Sequence, residues 1–263
     1  MPLPDYPRVI FRKPPIRLAL AQVRFQIMLR FADAGFIAPF QESIRDTYPK
    51  VAKEQQFGAQ LTPRGLQALT EEFQWRFTSR DDVWSVVLGE GSLSLEVRQY
   101  ESMDRFADRF RPLLLAAREH LGVSERGRFG LRFINEFRHP DGSSLQGWSK
   151  LLRSDFVGFA GSGLLEGDVE HMIQELRVGC PNGTLSVRHG LLTGTVVPDP
   201  RRKADEGPFY LLDLDYYVVD EQPLDVDDTI ALMREYNDKL YRFFRWAAGD
   251  GEMYRFMEPD RAE

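Results

Sequence analysis

Two stretches of this chain can be laid over each other at one fixed offset, residues 103–122 on residues 230–249. Met103, Phe106, Leu113, Ala117 and Gly122 then face Ile230, Met233, Leu240, Phe244 and Gly249. Apolar residues spaced by three and four predict an amphipathic helix in each stretch. The glycine after each supplies the left-handed residue that commonly ends a helix. Each half also opens on a long apolar strand and passes through several short ones. An internal repeat of that size restricts the architecture before any motif is read.

Along the first half, Pro2, Pro4, Pro7, Pro14 and Pro15 predict an extended arm over residues 1–15, since proline cannot donate to a strand ladder. From Arg17 to Phe31 the chain alternates, with Val23, Phe25, Ile27, Leu29 and Phe31 on one face of a predicted strand. Residues 36–49 read as a helix stopped by Pro49, and residues 50–70 as a polar stretch with room for one short strand. Phe73, Trp75 and Phe77 alternate; Val83 to Leu88 is apolar on both faces; a turn at 89–92 leads to Leu93, Leu95 and Val97. Ser102 caps the first repeated helix, and Pro112 predicts a kink in it or a division into two pieces.

The second half follows the same order. Phe129, Leu131, Phe133, Asn135 and Phe137 form one face of a strand, with Arg132, Ile134, Glu136 and Arg138 on the other. A short helix is expected at 144–152 and a Gly-rich loop at 158–167. Strands at 169–179 and 184–192 are joined by Pro181-Asn182-Gly183. A polar loop spans 198–207, a strand 209–219, and the second repeated helix 225–248. The expected fold class is therefore α+β. It consists of duplicated helix-grip or TBP-like β-α-β(3–4)-α units, with antiparallel curved sheets each packed on a long helix. The divisions are an arm at 1–15, repeats at 16–124 and 125–249, and a polar tail at 250–263. TATA-box-binding proteins and lipid-binding helix-grip domains share this topology, but a fold does not set a function.

Composition excludes several classes. The net charge of −6 gives no bulk attraction to nucleic acid, although 34 basic residues, mostly Arg, leave room for a local basic stripe. The single cysteine, Cys180, excludes an internal disulfide and fits a reducing cytoplasm. The N-terminus lacks the charged and apolar regions of a signal peptide, and the apolar stretches are too short to span a bilayer. A cytoplasmic protein without membrane association is expected.

Four segments carry a resemblance. Pro14-Pro15-Ile16, Gly130-Leu131-Arg132-Phe133-Ile134-Asn135, Leu212-Asp213-Leu214-Asp215 and a C-terminal amphipathic helix occur in this order. Together they resemble a sporadically distributed family of bacterial conserved hypothetical proteins, over most of the chain. The match departs at Tyr236-Asn237, where members carry a His. The resemblance implies no assigned activity. The family's patchy distribution implies an accessory role of the kind seen in defence and toxin–antitoxin modules, and with it a partner or ligand.

Candidate chemistry rests on few residues. Asp213 and Asp215 share a strand face about 7 Å apart and could hold a divalent metal if Glu175 or Glu136 joined them. The favoured reading is the ordinary one: alternating Leu212, Leu214 and Tyr216 make the buried face of a one-sided sheet, with the aspartates solvated. Arg132, Glu136 and Arg138 share one face and Glu175 and Arg177 another. Turned inward, they would line a site for a phosphate or carboxylate; turned outward, they are cross-strand ion pairs. Asn237 lies on an apolar helical stripe opposite Phe110 and needs a hydrogen-bond partner, either a ligand or a core amide contact. The four histidines have no metal-site spacing, no serine sits in a nucleophile elbow, and the Gly-rich loop lacks the Lys of a P-loop. Phe73, Trp75 and Phe77 suit buried packing better than base stacking. No cofactor is expected and no catalytic residue stands out. The leading expectation is a non-catalytic protein that binds a partner or small ligand between two repeats, with a homodimer possible. The alternatives are a metal-dependent phosphoesterase on Asp213, Asp215, Glu175 and Arg132, and nucleic-acid binding on the sheet.

Overall fold

The computed structural model describes residues 3–56, 59–62, 65–68, 72–164, 169–198 and 206–261. The first half runs β1 (Val9–Phe11), β2 (Ile16–Arg24), α1 (Ala34–Ile44), β3 (Lys50–Gln56), β4 (Ala59–Thr62), β5 (Gly65–Ala68), β6 (Glu72–Thr78), β7 (Trp84–Gly89), β8 (Ser92–Val97) and α2 (Met103–Leu121). The second half begins β9 (Glu125–Arg126), β10 (Arg128–Phe137), α3 (Leu145–Leu151), α4 (Ser154–Val157), β11 (Gln174–Cys180) and β12 (Gly183–Thr193). It ends with β13 (Pro208–Val218), β14 (Gln222–Pro223), α5 (Val226–Ala248), α6 (Glu252–Phe256) and β15 (Pro259–Arg261). The fold is mixed α+β, built on a large antiparallel sheet of nine strands in the order β11-β12-β13-β10-β2-β8-β7-β6-β3. Among the described residues no helix is long and apolar enough to cross a membrane.

Two compact units divide the chain: residues 1–19, 131–217 and 234–263 form one, residues 20–130 and 218–233 the other. In the first unit the strands run outward as β10-β13-β12-β11. One sheet face carries Leu131, Phe133, Phe137, Tyr210, Leu212 and Tyr216, buried with Trp148 of α3, Phe156 of α4 and Leu240 and Phe244 of α5. Phe137 stacks on Phe244 with ring centroids 5.8 Å apart. The opposite face holds a smaller cluster of Ile134, Phe209 and Leu211, packed against Leu18, Leu192, Val196 and Val197. Both faces of β10 are therefore covered, which a simple apolar–polar alternation does not anticipate.

In the second unit the order is β2-β8-β7-β6-β3. Helix α2 begins at Ser102, whose side chain accepts from the Arg105 N–H, and ends at Gly122 in the left-handed region. It stays one helix across Pro112, not two pieces. Phe106 stacks on Trp84 and Phe110 on Phe129, and α1 brings Phe40 against Phe77.

Four expectations need correction. The first long strand stops at Arg24 instead of reaching Phe31. Asp33 caps α1 by accepting from the Gly35 N–H, so the chain must leave the sheet before it and does so through a short 3-10 turn at Leu29–Ala32. Ile27 and Leu29 are consequently exposed, while Phe31 turns inward and stacks on Phe73. The arm is not featureless: β1 pairs antiparallel with β15, so the tail also carries structure, including α6. Residues 50–70 hold β3 and the β4–β5 hairpin rather than one strand. The face of β10 bearing Arg132, Ile134 and Glu136 is largely buried. The loop expected at 198–207 falls mostly on residues 199–205, and part of the Gly-rich loop on 165–168; both lie outside the described residues.

Candidate functional site

The charged residues singled out in the sequence are used on one another. Arg132 on β10 donates Nε to Asp213 Oδ1 at 2.7 Å and Nη2 to Oδ2 at 2.6 Å. Arg188, directly across β12 from Asp213, donates Nη2 to the same Oδ2 at 2.9 Å. The Asp213 side chain is 6% exposed, whereas the Arg132 and Arg188 side chains, at 34% and 39%, still reach water. The hydrogen bond from Arg132 to Asp213 raises the guanidinium pKa; burial opposes this, and the charges of Asp213 and Asp215 add to it. A carboxylate with both oxygens accepting from guanidiniums has little capacity left for a cation. Asp215 lies across from Ser186 and Glu175 across from Arg188, so among the described residues no oxygen cage gathers around Asp213.

Glu136 is the centre of a second cluster. Its side chain is fully buried. Oε1 accepts from Thr195 Oγ1 at 2.7 Å and the Val196 N–H at 2.8 Å; Oε2 accepts from Arg17 Nε and Arg138 Nη2, both at 3.1 Å. Burial alone would raise this carboxyl. The bonds from Thr195, Val196 and Arg138, with the charge of Arg17, more than offset it and hold Glu136 below the usual carboxylate range. The Arg138 Nη atoms also reach the carbonyls of Gly194 and Gly207.

Asn237 finds its partner in the arm. With its amide turned to the orientation that satisfies both atoms, Oδ1 accepts from Arg8 Nη2 at 3.0 Å and Nη1 at 3.3 Å. Arg8 also pairs with Asp238 and lies 4.3 Å over the Tyr241 ring. Glu175 and Arg177, by contrast, stand on the outermost strand, 58% and 66% exposed and 3.7 Å apart. In the other unit Phe77 is buried, Phe73 stacks on Phe31, and Lys53 Nζ sits 3.8 Å over Phe73.

A site that no sequence motif marked lies around His139. An open cleft of about 430 Å³ is lined by Arg138, His139, Pro140, Ser143, Gly207, Pro208 and Phe256. The His139 ring is 7% exposed and meets Phe256 edge-on with centroids 4.5 Å apart. Asp141 Oδ2 lies 3.8 Å from Nδ1, and Glu252 Oε1 3.9 Å from Nε2. Among the described residues these three are the group whose potential metal-ligand atoms converge. The hydrogen bonding speaks against a metal. Nδ1 accepts from the Asp141 N–H at 3.1 Å, so in the neutral ring the proton resides on Nε2. A metal-ligating histidine instead donates through its second nitrogen. His139 and Asp141 are two residues apart, but Glu252 is distant in sequence, and only the docking of α6 brings it to His139.

His189 is a core histidine. It stacks on Phe156 at 4.1 Å, shares a 2.9 Å hydrogen bond with the Tyr210 hydroxyl, and burial lowers its pKa to about 4. No protein-family model and no curated protein matches this chain.

Proposed function

We propose that this chain is a non-catalytic binding protein that captures a small ligand bearing an amine or guanidine cation where Asp141 and Glu252 converge beside His139. The observation that carries this reading is the convergence of the Asp141 and Glu252 carboxylates on a buried imidazole that the Phe256 ring meets edge-on. An aromatic face beside two carboxylates attracts a cation through the ring quadrupole and by charge. Both carboxylates are exposed and free to close on a ligand. Isothermal titration with putrescine, agmatine and arginine, with glutarate as the anionic control, tests it. Binding of the cations alone, weakened at least about tenfold in the Asp141→Asn/Glu252→Gln variant, supports the proposal. Absence of cation binding, or binding unchanged in that variant, sinks it.

Two further elements belong to this reading. In the sheet β13 follows β10 and β8 follows β2, and each long helix is followed by a left-handed glycine. This supports an ancestral duplication of helix-grip units corresponding to residues 16–124 and 125–249. The family resemblance favours a cytoplasmic accessory or defence role, in which the ligand could be a basic side chain of a partner. A phosphoesterase centred on Asp213 and Asp215 has less support, because Asp213 is committed to Arg132 and Arg188. Nucleic-acid binding has least, given the net charge of −6.

A further inference from the structure

We infer that β11 is the docking edge for a second copy of this chain, joined antiparallel about Leu176. Strand β11 ends the sheet: its seven residues pair with β12 on one side, and among the described residues nothing pairs on the other. An unprotected edge offers a row of backbone donors and acceptors, and native proteins usually blunt such edges. Here Leu176 is 52% exposed and Ile173 51% exposed, on an edge without proline.

The charges identify the occupant. Reading across strands, Arg132, Asp213, Arg188 and Glu175 alternate in sign, with Arg188 set directly across from both Asp213 and Glu175. That alternation ends at the sheet edge on Glu175, which calls for a positive residue on the next strand. The tripeptide Glu175-Leu176-Arg177 supplies it when read in reverse. A two-fold axis through Leu176 sets Glu175 of each copy across from Arg177 of the other and places Leu176 on Leu176. Such an isologous interface requires self-complementarity, and this short sequence has it. Opposite charges directly across an antiparallel pair stabilise it, and like charges there destabilise it. Within one copy the 3.7 Å approach of Glu175 and Arg177 leaves both side chains exposed and able to re-pair.

Charge exchange tests both the surface and the register. Glu175→Arg leaves two positive residues on the edge and Arg177→Glu two negative ones, and both positions are exposed enough to leave the fold intact. Sedimentation velocity should find the wild type in reversible monomer–dimer exchange. Each single variant should dissociate at least about tenfold more readily, because each dimer then carries two like-charge contacts. An equimolar mixture of the two variants should regain the wild-type affinity, since each then meets its opposite. A wild type that stays monomeric at several hundred micromolar overturns the inference. So do single variants that dimerise as the wild type does, or a mixture that fails to recover. The edge and the His139 cleft share no residue, so failure of one leaves the other standing.

Discussion

Arg132 and Asp213 meet through two parallel hydrogen bonds, 2.7 and 2.6 Å long, from neighbouring strands of the sheet. The same carboxylate accepts from Arg188, so Asp213 is shared between two guanidiniums and turned from solvent. Its role on this geometry is to neutralise a pair of arginines on the sheet. Asp213→Ala leaves both without a counter-charge. We expect a loss of about 1–3 kcal/mol, below the cost of stranding a fully buried charge because both arginines reach water. The change in guanidinium-unfolding midpoint measures it. Adding Mg²⁺, Mn²⁺ or Zn²⁺ to the wild type should leave that midpoint where it is; a metal-dependent rise abolished by Asp213→Ala would restore the metal reading.

Acid should destabilise the first unit in two stages. His189 is held neutral by burial, its pKa falling from 6.5 to about 4. In the unfolded chain it protonates first as pH falls, so its contribution is fully present above about pH 6.5 and lost on the way to about pH 4. A shift of this size corresponds to about 3 kcal/mol at most. Glu136 has a folded pKa below its ordinary 4.5, so its contribution is present above that pH and lost as pH falls beneath it. Unfolding free energy measured from pH 8 to pH 3.5 should decline through the first window in the wild type and stay flatter there in His189→Gln. A Glu136→Gln variant should start about 3 kcal/mol lower, with Arg17 and Arg138 left without their carboxylate, and lose less below pH 4.5.

Most of the strands and both long helices were legible because their cues are local. Ser102 and Gly122 bound α2, and the Pro181-Asn182 turn leads β11 into β12. What escaped was set by tertiary partners. The alternation through Phe31 predicts more strand, but nothing in that period encodes the competing pull of the Asp33 cap. Five prolines suggested a bare arm, yet only the return of the tail beside it gives Val9–Phe11 a strand to pair with. The sequence marks Arg132, Glu136 and Asn237 as candidate ligand contacts and Asp213 as a candidate metal ligand, and in the structure each of them has protein partners. The identity of those partners, Arg188, Thr195 and Arg8 among them, depends on strand register and loop closure. The His139 cleft was invisible for the same reason, since Glu252 reaches it only through α6.

The arm should be energetically tied to α5 through Arg8. Asn237 is nearly buried on the helix, and Arg8 supplies the donors for its oxygen. Arg8→Ala strands a buried amide oxygen, a cost of about 1 kcal/mol or somewhat more. In an Asn237→Leu background the same Arg8→Ala change should lose most of that effect, because the group left unsatisfied is gone. A double-mutant cycle by urea unfolding reads the coupling directly. A coupling energy near zero would mean that Arg8 acts only through Asp238 and the Tyr241 ring.

Gly122 and Gly249 should answer alike to the same substitution. They sit just past the ends of α2 and α5 with φ of 70° and 64°, conformations that a Cβ disfavours. Space is no obstacle at either: a Cβ on Gly122 meets nothing within 4 Å, and on Gly249 it meets Arg153 Cγ at 3.7 Å, an ordinary contact. Backbone strain is then the whole cost, about 1 kcal/mol at each position, or roughly 2–4 °C in Tm for a chain of this size. Thermal unfolding of Gly122→Ala and Gly249→Ala measures the pair. Matching losses are the outcome expected of two helix ends built to one plan. A difference above about 1 kcal/mol would show that one glycine carries a constraint the other lacks, and would weaken the case for duplicated units.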